Sequence, residues 1–464
     1  MKSKRKVFNN YEKINGGDYF VCDDLGRWGI FGEEEFAKIS SGEKDMYSPE
    51  ISGPWTEIEK PYRYPLLAKE NYCGPSLHIM VITLACNHAC LYCRVSPEAG
   101  GDMTTNMTAR TAIKAVDAIL STPNENITVE FQGGEALLNW PVLKEAATYA
   151  MRKNVTAGKN LLLSIVTNFS LMDEDKFNFI TENGISVCTS LDGPAELHNK
   201  NRRYGKTGAH DKVVYWIKRF LKANPGGEAD SLPYALMTTT KHSLGMPEEI
   251  VEEYRKTGLG GIFIRPLSPI GQAGKIWEEI GYTPEEYEKF YSACLDKVFE
   301  INRAGDRFIE RACVLLAKKL LQHKDPNYLD SKTPCGAATG QLAYNWDGKI
   351  YTCDEGRMVG AMGDDLFLLG KIGESSYGDI LTAPAARTCC MASCVESQPK
   401  CCRCAFKYFC GLCPVHNYAV QGTPWGDING SYWCGIQKAV FRTVLSAIKD
   451  EKKRDIIDGW LDWE

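Results

Sequence analysis

Between Leu77 and Leu267 the chain alternates strand-like apolar runs with amphipathic helical stretches, and that rhythm restricts the fold more than any other feature. The strand-like runs are Leu77–Leu84, Ile127–Phe131, Leu161–Thr167, Ile185–Leu191, Leu232–Met237 and Gly261–Pro266. Helical patterns lie between them, such as Thr108–Leu120 with Ile113, Val116, Ile119 and Leu120 on one face. Strands separated by helices pair in parallel. Six such units suit an α/β fold built on an open, partial (β/α)6 TIM-like barrel, in which reactive groups gather at the C-terminal ends of the strands.

The remaining segments frame that barrel. Residues 1–75 read as a separate small α+β module: Asp18–Cys22 and Gly26–Phe31 as strands around a turn at Asp23-Asp24, then a short helix at Glu33–Lys38. This module either caps the barrel or helps to seat a peptide. Residues 76–270 are the barrel and 271–334 a helical bridge, with a capping box at Thr283-Pro-Glu-Glu286. Residues 335–436 form a cysteine-rich domain, and 437–464 a C-terminal helix with a charged tail. No internal repeat or low-complexity segment is present.

The net charge of −5 is spread over both signs without a long block, so nucleic acid is not favoured as a partner. The basic start, Met1-Lys-Ser-Lys-Arg-Lys6, leads into polar residues with no apolar stretch behind it, unlike a secretory signal. No apolar run is long enough to cross a bilayer. These observations predict a cytoplasmic protein with no membrane partner, and they make the 19 cysteines hard to explain as disulfides. Eleven of them crowd between Cys335 and Cys434, which favours metal or iron–sulfur ligation. Cys188, in a strand, and Cys294, on the apolar stripe of a helix, read as small core residues.

Cys86, Cys90 and Cys93 form a C-x3-C-x2-C segment directly after the first strand. Three thiolates can hold three corners of a 4Fe–4S cube and leave one iron open to bind and reduce a ligand; part of a zinc site is the other reading. After the second strand comes Gln132-Gly133-Gly134-Glu135. Its glycines allow close backbone approach and its carboxylate can accept from an ammonium group, although Gly-Gly-Glu is also a common turn. Thr167-Asn168 ends the third strand; Ser190-Leu-Asp192-Gly-Pro194 ends the fourth and leads into Asn201-Arg202-Arg203. Asn168 and Asp192 are either ligand contacts or turn caps, and one of the two arginines suits a carboxylate partner.

With Tyr92 before the last cysteine, this triplet resembles the signature of radical S-adenosylmethionine (radical SAM) enzymes, and Gly133-Gly134-Glu135 resembles their GGE motif. The resemblance implies a cluster on Cys86, Cys90 and Cys93 that binds SAM, with Gly133, Gly134, Glu135, Asn168, Ser190 and Arg202 as SAM contacts. The run Cys401-x2-Cys404-x5-Cys410-x2-Cys413, then Cys434, resembles the SPASM domain, which carries two auxiliary 4Fe–4S clusters. Its last spacing is two residues where SPASM domains usually have three, and Cys410-Gly-Leu-Cys413 also fits half a zinc ribbon. The resemblance implies Cys401, Cys404, Cys410 and Cys434 around an outer cluster, and Cys335, Cys353 and Cys413 around an inner one. The fourth ligand of the inner cluster is Cys389, Cys390 or Cys394, or the site is open.

Asp354 follows Cys353, where the resembling sulfatase-maturing enzymes place a proton-accepting aspartate; a hydrogen bond to local backbone is the alternative. Gly74–His78, Glu130–Glu135, Ser190–Pro194 and Phe263–Pro269 look most like radical SAM/SPASM maturases of His-Xaa-Ser-type peptide systems. The resemblance implies an oxidoreductase with SAM and three 4Fe–4S clusters. A deoxyadenosyl radical would remove a hydrogen from a ribosomal precursor peptide, and a carbon–carbon or carbon–heteroatom cross-link (thioether or ether) would form. An electron donor such as flavodoxin or ferredoxin would be a partner. Formylglycine formation, as in anaerobic sulfatase maturation, and a non-catalytic metal scaffold that binds a peptide are the competing readings.

Overall fold

The computed structural model describes residues 9–461 except 15, 24–25, 45, 47–72, 94–102, 207, 225–232, 323 and 325–328. The expected turn at Asp23-Asp24 and the start of the fifth strand at Leu232 fall partly outside the described residues, as does much of the 1–75 segment.

Strands β1 (Asn9–Lys13), β2 (Tyr19–Asp23) and β3 (Trp28–Phe31) form a small antiparallel sheet, followed by a helix at Glu33–Ser40. The barrel strands are β4 (Leu77–Thr83), β6 (Asn126–Gly133), β7 (Asn160–Val166), β8 (Ser186–Ser190), β10 (Tyr234–Thr238) and β11 (Gly261–Arg265). They lie side by side in that order, all parallel. Two-residue strands β5 (Ala89–Cys90) and β9 (Arg202–Arg203) pair with each other apart from the main sheet.

All six expected strands are present, each within two residues of its predicted ends. Side-chain alternation explains why they face as they do. Along β6, Ile127, Val129 and Phe131 are buried, while Thr128, Glu130 and Gln132 are only partly so. Apolar side chains thus pack under the surrounding helices, and the alternate polar ones face the barrel interior. Cys188 and Cys294 are buried in the core.

Three boundaries differ from expectation. The 271–334 segment is not purely a helical bridge: it contributes β12 (Ile309–Glu310), a seventh parallel strand beside β11. Buried Glu310 welds this corner, accepting from the Tyr291 hydroxyl at 2.6 Å and the Cys313 and Ile264 backbone N–H groups at 2.7 and 3.3 Å. At the opposite edge, β13 (Gln341–Tyr344) pairs in parallel with β4, then β14 (Lys349–Tyr351) and β15 (Leu368–Lys371) follow antiparallel. The cysteine-rich segment therefore extends the barrel's own sheet to ten strands. Finally, the C-terminal helix starts at Tyr432, with Cys434 in its first turn, and a second helix spans Glu451–Leu461.

The described part of the N-terminal module leans on this C-terminal half. The Trp28 indole donates to the Leu320 carbonyl at 3.2 Å, Phe20 stacks on Phe406 with ring centres 5.4 Å apart, and Glu12 pairs with Lys438 at 2.8 Å. No described helix is long and apolar enough to cross a membrane.

Candidate active site

The cysteine loop leaves the end of β4 and is held by its neighbours' backbones. Leu91 N–H donates to the Asn201 carbonyl at 2.9 Å, and the β5–β9 pairing sets Cys90 opposite Arg202. From the other side the Gln272 N–H donates to the Cys93 carbonyl at 3.1 Å. The glycines of the GGE turn are required by close approach: Gly134 N–H reaches the Thr83 carbonyl and Glu135 N–H the Ala85 carbonyl, both at 2.8 Å. A Cβ on Gly134 would stand 2.2 Å from the Ala85 oxygen, and one on Gly133 only 2.0 Å from the Thr83 oxygen.

A cavity of about 290 Å³ opens above the strand ends. Cys86, Cys90, Cys93, Gly133, Gly134, Glu135, Asn168, Ser190, Arg202 and Asp354 all line it, so the residues drawn from six separate stretches of sequence converge on one chamber. His88, Tyr92, Arg265, Glu355 and Met358 line it too.

The individual contacts refine what each residue does. Glu135 is 1% exposed, and its carboxylate already accepts from the Thr167 hydroxyl at 2.6 Å, Asn168 N–H at 2.8 Å and Leu137 N–H at 3.1 Å. Burial pushes its protonation upward, opposed by those three donors. Glu135 therefore ties the second strand end to the third, and it keeps acceptor capacity on Oε2 for a further donor. Asn168 braces the cysteine loop through its amide, which donates to Asn87 at 3.0 Å. Of the two arginines, Arg202 is buried in the site and Arg203 is exposed. Asp192, wholly buried, accepts from the Tyr92 hydroxyl at 2.5 Å, Arg202 Nε at 3.2 Å, and Asn201 Nδ2 and Thr238 N–H, each at 3.3 Å. It is thus neither a free ligand contact nor a simple turn cap: it joins the cysteine loop to the arginine. Among the described residues the Asp354 carboxylate bonds to no local backbone group, where one reading expected such a bond; it pairs instead with the Arg357 guanidinium at 2.5 Å.

The donor set fits an iron–sulfur cluster with a polar ligand beside it. Burial pushes the Cys86 and Cys90 thiols up to about 12, so these thiols need a cation to become thiolates. Both ring nitrogens of buried His88 lack a hydrogen-bond partner among the described residues, as expected where a bound group supplies one. Among the described residues no three His, Cys, Asp or Glu side chains close on a single metal ion. A cube binds each thiolate at a different iron and so spaces its ligands more widely than one ion does.

The later cysteines fall into two neighbourhoods. Burial pushes the Cys410 thiol up, helped by Cys404, Cys434 and Cys401, and does the same at Cys353, helped by Cys413, Cys389 and Cys335 among others. Cys353 and Cys413 each cap a helix, and their sulfurs accept the Gly356 and His416 N–H groups at 3.3 and 3.4 Å.

Sequence reasoning left out Glu130, which faces the barrel interior from β6. Burial, with the nearby Asp354 charge, raises its pKa to about 7, while Arg265 opposes the rise. The signal was present in the alternation of β6, where a carboxylate stands at an inward position.

Residues 80–257 match the model of the radical SAM superfamily. The chain is 25% identical over 450 residues to an uncharacterized protein of Archaeoglobus fulgidus, covering 96% of this chain and 95% of that one. It is 26% identical over 288 residues to a cysteine-type anaerobic sulfatase-maturating enzyme of Clostridium perfringens, covering 60% and 74% of the two chains. The fold is similar to the solved structure of anSMEcpe with bound AdoMet and the Cp18Cys peptide, at a TM-score of 0.66 and 20% identity over 83% of this chain and all of that one. It is also similar to Streptococcus suis SuiB bound to S-adenosylmethionine, at a TM-score of 0.57 and 12% identity over 91% and 98% of the two chains. The chain accordingly carries a radical SAM domain and is a radical SAM enzyme that uses SAM and the iron–sulfur cluster of that domain.

Proposed function

We propose that this enzyme modifies a small ribosomally made precursor peptide and cross-links it, with two auxiliary 4Fe–4S clusters behind the SAM site. One observation carries the reading: Cys86, Cys90 and Cys93 share a single cavity with Asp354, the residue after Cys353 of the cysteine-rich segment. On this reading a radical source and a proton acceptor beside an auxiliary cluster would face the same small volume.

The cluster and SAM together would supply a carbon-centred radical able to remove an unactivated hydrogen. The chain's own residues do the rest. Cys86, Cys90 and Cys93 would hold the cluster, while Gly133, Gly134, Glu135, Asn168, Ser190 and Arg202 would orient SAM beside it. Asp354, held by Arg357, would accept the proton released when the substrate is oxidised. Cys401, Cys404, Cys410 and Cys434 would hold the outer auxiliary cluster, and Cys335, Cys353 and Cys413 the inner one. A flavodoxin- or ferredoxin-type donor would supply the first electron.

Relatives support the peptide reading, since SuiB has a structure bound to the precursor peptide SuiA. The motif segments make a His-Xaa-Ser-type peptide the first substrate to try. A second reading, formylglycine formation, is favoured by the placement of Asp354 and by relatives named as sulfatase-maturating enzymes. Co-expression with the product of a neighbouring small open reading frame, followed by mass spectrometry, separates them. Loss of two hydrogens without reactivity toward a hydrazide supports a cross-link; a hydrazide-reactive aldehyde supports formylglycine, and an unmodified peptide refutes the peptide assignment.

A further inference from the structure

Three cysteines outside the usual SPASM run, Cys389, Cys390 and Cys394, lie in or just after one helix, Pro384–Ala392. They differ sharply in setting. Cys389 is fully buried and belongs to the same apolar cluster as Cys335 and Cys353, with Cys413 packed against it. The end of this helix is pinned to the chain entering Cys335. The Ser393 hydroxyl donates to the Cys389 carbonyl at 2.6 Å and itself accepts the Cys335 N–H at 2.8 Å. The Thr333 hydroxyl donates to the Ser393 carbonyl at 3.3 Å and accepts the Val395 N–H at 3.3 Å. On the other side stands Thr352, the residue before Cys353, whose hydroxyl reaches the Cys353 sulfur at 3.7 Å.

The other two thiols point away. Cys394 Sγ donates to the Glu396 carboxylate at 3.4 Å, and Cys390 is only half-buried. Its position explains this: on an α-helix, successive residues point about 100° apart, so Cys389 and Cys390 cannot share a face.

We propose that Cys389 is the fourth protein ligand of the inner auxiliary cluster, completing Cys335, Cys353 and Cys413. This rests on the reading that an inner cluster is present. Its consequence is chemical: a cube with four thiolates has no open iron, so the peptide does not coordinate this cluster, and the cluster's part is to carry charge and accept electrons. The ligand comes from a helix that packs on the barrel-extending hairpin, not from the chain close to Cys335, so cluster assembly locks this helix onto the hairpin.

The test uses the full-length protein, reconstituted anaerobically, with iron and sulfide analysis and Mössbauer and EPR spectra. Wild type should bind about twelve irons, as three four-iron cubes. Cys389→Ala should lower the count or turn one auxiliary cube into a site whose spectrum responds to added imidazole or small thiol, while Cys390→Ala and Cys394→Ala leave the spectra unchanged. If Cys389→Ala does not fold, Cys389→Ser asks the same question, since an oxygen ligand shifts the spectrum of the cube it joins. Twelve irons with wild-type spectra and no response to added ligand in the Cys389 variant overturns the ligand assignment and leaves the two auxiliary clusters standing. About four irons in the wild type overturns the auxiliary clusters themselves, and the assignment with them.

Discussion

The sharpest energetic claim concerns Asp192, and Asp192→Ala tests it. Every acceptor position of this wholly buried carboxylate is used: Oδ1 takes Arg202 Nε and Thr238 N–H, and Oδ2 takes the Tyr92 hydroxyl and Asn201 Nδ2. Arg202 is only 9% exposed, so removing Asp192 leaves a largely buried guanidinium without its carboxylate. Breaking one side of such a buried pair costs about 3–5 kcal/mol, to which an unsatisfied Tyr92 hydroxyl adds on the order of 1 kcal/mol. Asp192→Ala should therefore lose about 4–6 kcal/mol in urea unfolding of the metal-free chain. Asp192→Asn keeps one oxygen toward Arg202 and Thr238 and turns its amide toward Tyr92 and Asn201, which can both rotate to accept; it should lose about half as much. Adding Arg202→Met to Asp192→Ala should recover part of the loss, because the stranded charge is gone. Because β9 and β5 pair through Arg202 and Cys90, both single variants should also weaken SAM binding, read by equilibrium dialysis. An Asp192→Ala protein within about 0.5 kcal/mol of wild type would refute the claim that this pair is a buried, coupled joint.

Gly134→Ala pushes a methyl group against the Ala85 carbonyl, and relieving that overlap should cost about 1–3 kcal/mol and displace the cysteine loop; wild-type SAM affinity in this variant would contradict the close-approach argument. His78, packed where β4 meets β13, bonds to the Tyr344 hydroxyl at 3.2 Å and the Pro75 carbonyl at 3.1 Å, and burial pushes its pKa down from 6.5 to about 4. The unfolded chain takes up this proton near 6.5 and the folded one only near 4, so stability falls by on the order of 3 kcal/mol as pH drops through that window. His78→Gln should flatten that part of the curve of urea midpoint against pH. Glu130 works in the opposite direction: with its pKa raised from 4.5 to about 7, the folded state loses stability as pH rises between those values. Glu130→Gln should remove that slope, and an unchanged profile would show that the side chain is solvated.

The barrel was legible because its signals are local: each strand is an apolar run, and each helix repeats with its own period between strands. The site was legible where chemistry and spacing coincide, as in Cys86-x3-Cys90-x2-Cys93 and Gly133-Gly134-Glu135. What failed was pairing at a distance. Nothing near Gln341–Tyr344 announces a parallel partner in β4, although His78 and Tyr344 meet across 266 residues. The two-residue β12 is too short to show any alternation. Arg202 and Arg203 look alike as neighbours; only the β5–β9 pairing buries one and exposes the other. Likewise, Cys389 and Cys390 are adjacent in sequence but occupy different faces of a helix, and that face is set by packing of Cys389 in the cluster that holds Cys335 and Cys353.

The central claim is that Cys86, Cys90 and Cys93 hold the cluster that reduces SAM in this chamber, and SAM cleavage tests it most directly. Anaerobically reconstituted, chemically reduced protein should convert SAM to 5′-deoxyadenosine and methionine, and Cys93→Ala should form neither while its fold is retained. Deoxyadenosine from the Cys93→Ala protein, or none from a wild type whose clusters are intact, would contradict the account.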